Sequence, residues 1–171
     1  MANRAYLFAT DIKDFQQIEN DEEPYYDSRW NIPLLWFLFF DASSVKPKKI
    51  VFGNDAWQEV VLVENKETAI HRFLKLYPRL EEVFGKHFFD YTEFIKNINN
   101  WERENLVLNP TEIIEDHSKA LQDFSAALEF IQSGKTENFV KILDEYAGVF
   151  SHINKADSRT LTIYFIGFTY W

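Results

Sequence analysis

Histidines, serines and paired carboxylates are the residues of this chain that could do chemistry. The four histidines are His71, His87, His117 and His152, and none of them belongs to a metal-binding motif such as H-E-x-x-H. His117 follows two acidic residues on the apolar stripe of a predicted helix. It could act there as a ligand or general base, or it could lie at the core boundary, bonded to a backbone carbonyl.

The sequence motifs that usually build active sites are also missing. It has no G-x-S-x-G elbow, P-loop or G-x-G-x-x-G motif, and no cysteine for disulfides or thiolate chemistry. Adjacent carboxylates are typical of a solvated helix face in an acidic protein, as at Glu81-Glu82, Glu115-Asp116 and Asp144-Glu145. We therefore expect a protein that is not an enzyme and that holds no metal or cofactor.

Residues 19–30 form the segment with the clearest binding character. Five acids surround two tyrosines, and a tryptophan follows. Tyr and Trp are enriched at binding hot spots, and carboxylates beside them can pair with Lys or Arg of a partner. The alternative is a solvated loop whose rings pin it to the body. The predicted partner-binding residues are Asp21, Glu22, Glu23, Tyr25, Tyr26, Asp27 and Trp30.

Charge narrows the class of partner. The chain of 171 residues has 27 acids and 18 Lys plus Arg, which gives a net charge of −9. An acidic field repels phosphate backbones and attracts basic proteins, whose association it accelerates. We therefore expect a basic protein partner and no nucleic acid.

The most apolar stretch, Ile32–Phe40, is too short to cross a membrane. As a helix it would span about 14 Å, whereas a bilayer core measures about 30 Å. Residues 1–11 contain no apolar run of the length that a signal peptide needs. These two features predict a cytoplasmic protein with no membrane segment.

The elements that must position these residues alternate between strands and helices. Strands are predicted at Arg4–Ala9, Leu106–Leu108 and Thr160–Tyr170, and a hairpin at Lys49–Phe52 and Trp57–Val63 around a Gly53-Asn54-Asp55 turn. Asp11–Arg29 is predicted to be a long loop with a helical turn around Asp14–Ile18. The basic residues Lys46, Lys48 and Lys49 are typical of a protected strand edge.

Start and stop signals predict the helices. Ile32–Phe40 is predicted to be helical, although a central strand would also fit. Further helices are predicted after Asn65 with an interruption at Pro78, after the Asp90–Glu93 capping box, from Asn109-Pro110 to Gly134, and from Thr136 to Phe150. The predicted fold is one α+β domain over residues 1–171. Its small sheet includes both terminal strands and the central hairpin, packed with five or six helices.

Two short sequence motifs resemble motifs of known proteins. The opening Met1-Ala2-Asn3-Arg4-Ala5-Tyr6-Leu7 and the later Ile32-Pro33-Leu34-Leu35-Trp36 resemble a set of uncharacterised bacterial proteins that open M-A-N-R-x-Y-L and carry I-P-x-x-W after an acidic loop. The resemblance implies a bacterial cytosolic protein and no particular activity. In general character the chain also resembles toxin-immunity proteins, which are small and acidic.

These observations lead to three functional hypotheses. The first is an interaction module, specifically an immunity protein that occludes a basic, nuclease-like toxin through the acidic-aromatic loop. The second is a small-molecule binder or enzyme whose pocket is lined by Trp36, Trp57, Trp101 and His117. The third is an adaptor that self-associates through its terminal strand.

Overall fold

The computed structural model shows an α+β protein built on one antiparallel sheet, and it describes residues 4–18, 25–29, 32–85, 89–114, 117–133 and 168–170. The strands are β1 (Arg4–Thr10), β2 (Tyr25–Arg29), β3 (Val45–Phe52), β4 (Asp55–Asn65), β5 (Asn105–Asn109) and β6 (Phe168–Tyr170). The α-helices are α1 (Lys66–Phe84), α2 (Thr92–Asn100) and α3 (His117–Ser133).

The six strands lie in the order β3-β4-β5-β1-β2-β6. The predicted α+β class is confirmed, and the sheet holds both terminal strands and the central hairpin as expected. The described residues form three α-helices and three short 3-10 helices, fewer α-helices than the five or six predicted. The helix predicted from Thr136 to Phe150 lies outside the described residues.

The two faces of the sheet carry different cores, because alternate residues of a strand point to opposite sides. Ala5, Leu7 and Ala9 of β1 face a large core to which all three α-helices contribute apolar side chains. Phe8 faces a smaller cluster in which Val61 and two other residues are also buried. The helices therefore pack on one face of the sheet, and residues 12–18 contribute Ile12, Phe15 and Ile18 to the other.

The apolar run at residues 32–40 forms the centre of the large core. Leu34–Phe39 is a 3-10 helix in which all six side chains are buried. Helix rather than strand is therefore confirmed for this run, in the tighter 3-10 form. Phe39 stacks on Phe73 of α1 with ring centroids 4.9 Å apart, which joins the run to the helical layer.

Arg72 of α1 holds the end of this run in place. Its Nη1 donates to the carbonyl of Phe39 at 2.7 Å and to Glu64 Oε2 at 2.8 Å. Its Nη2 lies 2.6 Å from Asp41 Oδ2. One guanidinium thus connects α1, β4 and the chain that leaves the apolar run.

Helix α1 begins where the sequence predicts and continues further. The Asn65 side chain accepts from the Thr68 amide at 3.2 Å, as a cap should. The predicted interruption at Pro78 is wrong, because the helix runs through it to Phe84. Proline removes one intrahelical bond, and the burial of Phe73, Tyr77 and Leu80 on one face stabilises the helix on both sides of it.

Two further boundaries differ from the prediction. The long helix does not begin at Asn109-Pro110, since the Asn109 side chain caps a turn at Thr111 and residues 111–114 are not helical. The predicted stop at Gly134 lies outside the described residues. The predicted loop over residues 11–29 is wrong for Tyr25–Arg29, which forms β2 between β1 and β6.

Candidate functional site

The structure separates the seven predicted partner-binding residues. Tyr25, Tyr26 and Asp27 belong to strand β2 and not to a loop. Asp21, Glu22, Glu23 and Trp30 lie outside the described residues. The structure therefore brings together three of the seven, and the environment of each shows what it can contact.

Tyr26 is a core residue with 1% of its surface exposed. Its ring meets Phe94 edge-to-face at 5.0 Å and Trp101 at 5.7 Å. Its hydroxyl accepts from Asn97 Nδ2 at 3.2 Å, so the polar atom is bonded inside the protein. Tyr26 thus anchors β2 to α2 and offers no surface to a partner.

Asp27 lies on the opposite face of β2 and is also fully buried. Its Oδ2 is 2.7 Å from Arg4 Nη1 on the neighbouring strand, and its Oδ1 has no hydrogen-bond partner among the described residues. Burial raises the pKa of this carboxyl, and the nearby charges of Arg4 and Arg29 offset only part of that effect. Asp27 forms an internal ion pair and cannot offset charge on a partner.

Tyr25 is half-buried, and its ring meets Tyr6 edge-to-face at 5.9 Å. All three described members of the predicted site therefore pack against the body of the protein. This is the alternative interpretation of the segment, in which its rings pin the chain to the sheet.

The exposed apolar surface of the described residues is concentrated instead at the end of the β3–β4 hairpin. Every residue from 51 to 58 is exposed, and we call this segment the hairpin tip. Phe52 is 79% exposed, Val51 62% and Trp57 40%. Large apolar side chains grouped in this way mark interaction surfaces more often than single exposed ones do.

Pairing between the two strands carries the hairpin tip beyond the core. The ladder continues without a break from Val45 opposite Leu62 to Phe52 opposite Asp55. Gly53 has a φ of +62°, the left-handed conformation with which two-residue hairpin turns begin. Burial along β4 stops at Val60, and residues 51–58 nearer the turn are exposed.

A cavity of about 450 Å³ lies where the hairpin meets α3. Its lining is formed by Pro47, Lys49, Ala56, Trp57, Gln58, Glu59, Val60 and Leu121. The volume falls in the range of small-ligand pockets, which is about 300 to 1,000 Å³. Trp57 Nε1 donates to Glu59 Oε1 at 3.0 Å, which leaves the ring as the apolar part of this residue.

The pocket expected around His117 has four predicted lining residues, and the structure describes the side chains of three of them. Trp36 and Trp101 are buried in the large core, with 0% and 5% of their surface exposed, and Trp57 lines the cavity beside the hairpin. The side chain of His117, the first residue of α3, lies outside the described part of the chain. A weak signal for the hairpin tip was present in the sequence, since Ile50, Val51 and Phe52 run directly into a turn that is usually polar.

Metal-binding clusters and membrane-spanning helices are both absent from the described residues. Within them, no group of three or more His, Asp or Glu side chains is placed to hold a metal ion. Among the described helices, none combines the length and the apolar character that a membrane span needs. The arrangement can bind apolar side chains or a small apolar molecule at the hairpin tip and its cavity.

Comparison of the chain with protein-family models, with curated proteins and with solved structures finds no match.

Proposed function

We propose that this chain is a protein-interaction module that binds a basic partner through its hairpin tip. In the more specific form of the proposal it is an immunity protein that occludes a nuclease-like toxin. The observation that carries the proposal is the exposure of Phe52, Val51 and Trp57 together on one projecting hairpin. Aromatic side chains that fill a partner's pockets supply most of the affinity at typical interfaces.

The charge of the chain selects the partner's chemistry. A net charge of −9 attracts a cationic surface over a distance of about one screening length, about 8 Å at physiological salt. In this proposal Asp21, Glu22 and Glu23 contribute to that attraction. The anchoring role first expected of Tyr26 passes to the rings of the hairpin tip, because Tyr26 is buried.

Occlusion follows from the shape of the hairpin. A two-stranded projection can enter a concave groove, such as the groove in which the cationic side chains of a nuclease bind its substrate. Phe52 and Trp57 would fill apolar pockets there, while the net negative charge of the chain as a whole opposes the charge of the groove. The partner's substrate would then be excluded sterically and electrostatically.

The test is a titration against the purified product of the neighbouring gene. We expect a complex whose affinity falls as salt is raised, and a loss of affinity of at least about tenfold for Phe52→Ala and for Trp57→Ala. Leu74→Ala is the matched control, since Leu74 is 45% exposed but lies on α1. No complex at low salt, or equal losses for all three variants, would contradict the proposal.

The cavity beside the hairpin supports a second candidate function, the binding of a small apolar molecule. Trp57 and Leu121 give it an apolar lining, while Lys49 and Glu59 provide charged groups that could orient a ligand. A ligand there would change the fluorescence of Trp57 and raise the unfolding temperature. Leu121→Trp, which fills the cavity, should abolish both effects and leave binding of a protein by Phe52 largely intact.

A further inference from the structure

Strand β3 ends the sheet in the described chain, and its outer edge is covered by a side chain. Gln16 belongs to a 3-10 helix at Phe15–Gln17 that follows β1. Its Nε2 donates to the Pro47 carbonyl at 2.9 Å, and its Oε1 accepts from the Lys49 amide at 2.8 Å. These are the two groups that one residue of a parallel neighbouring strand would bond. The Gln16 amide therefore takes the place of a peptide group on the open edge of the sheet.

Other contacts close the same stretch of β3. Pro47 has no amide hydrogen to offer an incoming strand. Lys48 Nζ donates to the carbonyl of Ile18, and Lys46 Nζ donates to that of Ser43 at 2.6 Å. The lysine side chains of this stretch are thus bonded to carbonyls of the same chain, while the outward Pro47 carbonyl and Lys49 amide are bonded by Gln16.

The segment that carries Gln16 is fixed to the body on both sides. We call residues 11–18 the strap. Ile18 at its end is buried in the smaller core cluster, where Phe8, Val61 and Val107 also lie. The Asp14 side chain caps the 3-10 helix by accepting a hydrogen bond from the backbone N–H of Gln16 at 3.0 Å. The strap holds Gln16 in register with β3 while the Gln16 residue itself stays exposed.

We propose that the strap closes the β3 edge against a second copy of this chain. An exposed edge strand is a template for pairing, and the strand most able to match β3 is β3 of another molecule. Such antiparallel pairing needs the Pro47 carbonyl and the Lys49 amide, both of which Gln16 occupies. The cover is reversible, because it consists of two hydrogen bonds from one exposed side chain. It is independent of the partner proposed above for the hairpin tip.

Gln16→Met tests the proposal, because methionine keeps the length of the side chain and removes both hydrogen bonds. Gln17→Met is the matched control, since the Gln17 side-chain amide bonds Asp14 and not β3. The experiment measures amide hydrogen exchange at Lys49 and the mass of the particle by sedimentation. It is done at low salt and at about 0.5 M salt, where the screening length is about 4 Å and repulsion between lysines of two β3 strands is small.

We expect exchange at Lys49 to become about fivefold faster in Gln16→Met, the change that loss of a hydrogen bond worth about 1 kcal/mol produces. We expect this variant to form dimers at about 0.5 M salt, while the wild-type chain and Gln17→Met stay monomeric. Unchanged exchange at Lys49 would overturn the proposal, and so would a Gln16→Met chain that stays monomeric. Dimers of the wild-type chain that form through β3 would overturn it as well.

Discussion

Nη1 of Arg4 lies 2.7 Å from Oδ2 of Asp27, a carboxylate with no exposed surface on the neighbouring strand. The pair ties the N-terminal strand to β2, and Oδ1 of Asp27 has no hydrogen-bond partner among the described residues. A buried charge with one unsatisfied oxygen is costly to hold ionised, and the Arg4 charge offsets only part of that cost. The contact therefore specifies how the two strands pair, while the burial of the ionised carboxylate opposes the stability of the folded chain at neutral pH.

Asp27→Asn should change how stability depends on pH. Burial raises the pKa of Asp27 in the folded chain, so the folded state binds this proton more tightly than the unfolded state does. The stability due to this group is complete below its unfolded pKa of about 3.9 and falls as pH rises through the folded value. The unfolding free energy of the wild type minus that of the variant should therefore decrease, in the signed sense, from about pH 3.5 to pH 7. Urea unfolding at several pH values measures it, and a difference that grows over this range would contradict the assignment.

Asp41→Asn should show the opposite sign. Burial alone would raise the pKa of Asp41, but hydrogen bonds from Ser43 and the charge of Arg72 hold it below its usual value. Stability due to this group is then complete above the unfolded pKa and is lost as pH falls through the folded one. The wild-type chain should therefore gain stability over Asp41→Asn as pH rises across the same range. Parallel profiles for the two variants would show that one of the two shifts has the wrong direction.

Arg72→Ala should destabilise the chain by about 2 to 3 kcal/mol. The substitution leaves the Phe39 carbonyl and the carboxylates of Asp41 and Glu64 without their shared donor in a half-buried site. Arg103→Ala is the control, because its pair with Asp11 is about half exposed on both sides and should contribute at most about 1 kcal/mol. Denaturant unfolding of both variants measures the difference, and equal losses would show that the Arg72 cluster is no more than a surface contact.

Two phenylalanines with opposite environments should respond very differently to truncation. Phe39→Ala removes a fully buried ring and should lower the free energy of unfolding by about 3 to 5 kcal/mol. Phe52→Ala removes a ring that is 79% exposed and should change it by no more than about 0.5 kcal/mol. Thermal and urea unfolding check both values. A large loss for Phe52→Ala would mean that the ring packs within the protein and is not held ready for a partner.

Short-range signals in the sequence predicted much of the fold. The Asn65 cap, the hairpin turn at Gly53-Asn54 and the strand at residues 106–108 all depend on neighbours within a few positions, and all three are present. Asn109-Pro110 was ambiguous, because the same residues favour a helix start and a tight turn. Here the turn forms, with the Ile113 amide bonded to the Pro110 carbonyl at 2.8 Å.

The candidate site was harder to predict because it depends on distant partners. Asp27 disfavours a strand by type, and the charges of Arg4, 23 positions earlier, and of Arg29 make its place in β2 tolerable. Phe52 resembles a core residue by type, and its exposure depends on where the helical layer stops covering the hairpin. A local sequence pattern contains neither of these spatial relationships, so the sequence prediction placed three residues of β2 in the site and did not include the hairpin tip.

The unbroken pairing of the hairpin has a consequence for recognition. Because the strands stay hydrogen-bonded up to Phe52 and Asp55, the backbone that carries the exposed rings is ordered before any encounter. A flexible loop would lose conformational entropy when it docks, about 1 to 2 kcal/mol for each backbone residue that becomes fixed. A preorganised projection avoids most of this loss, so a small contact area there can still bind tightly.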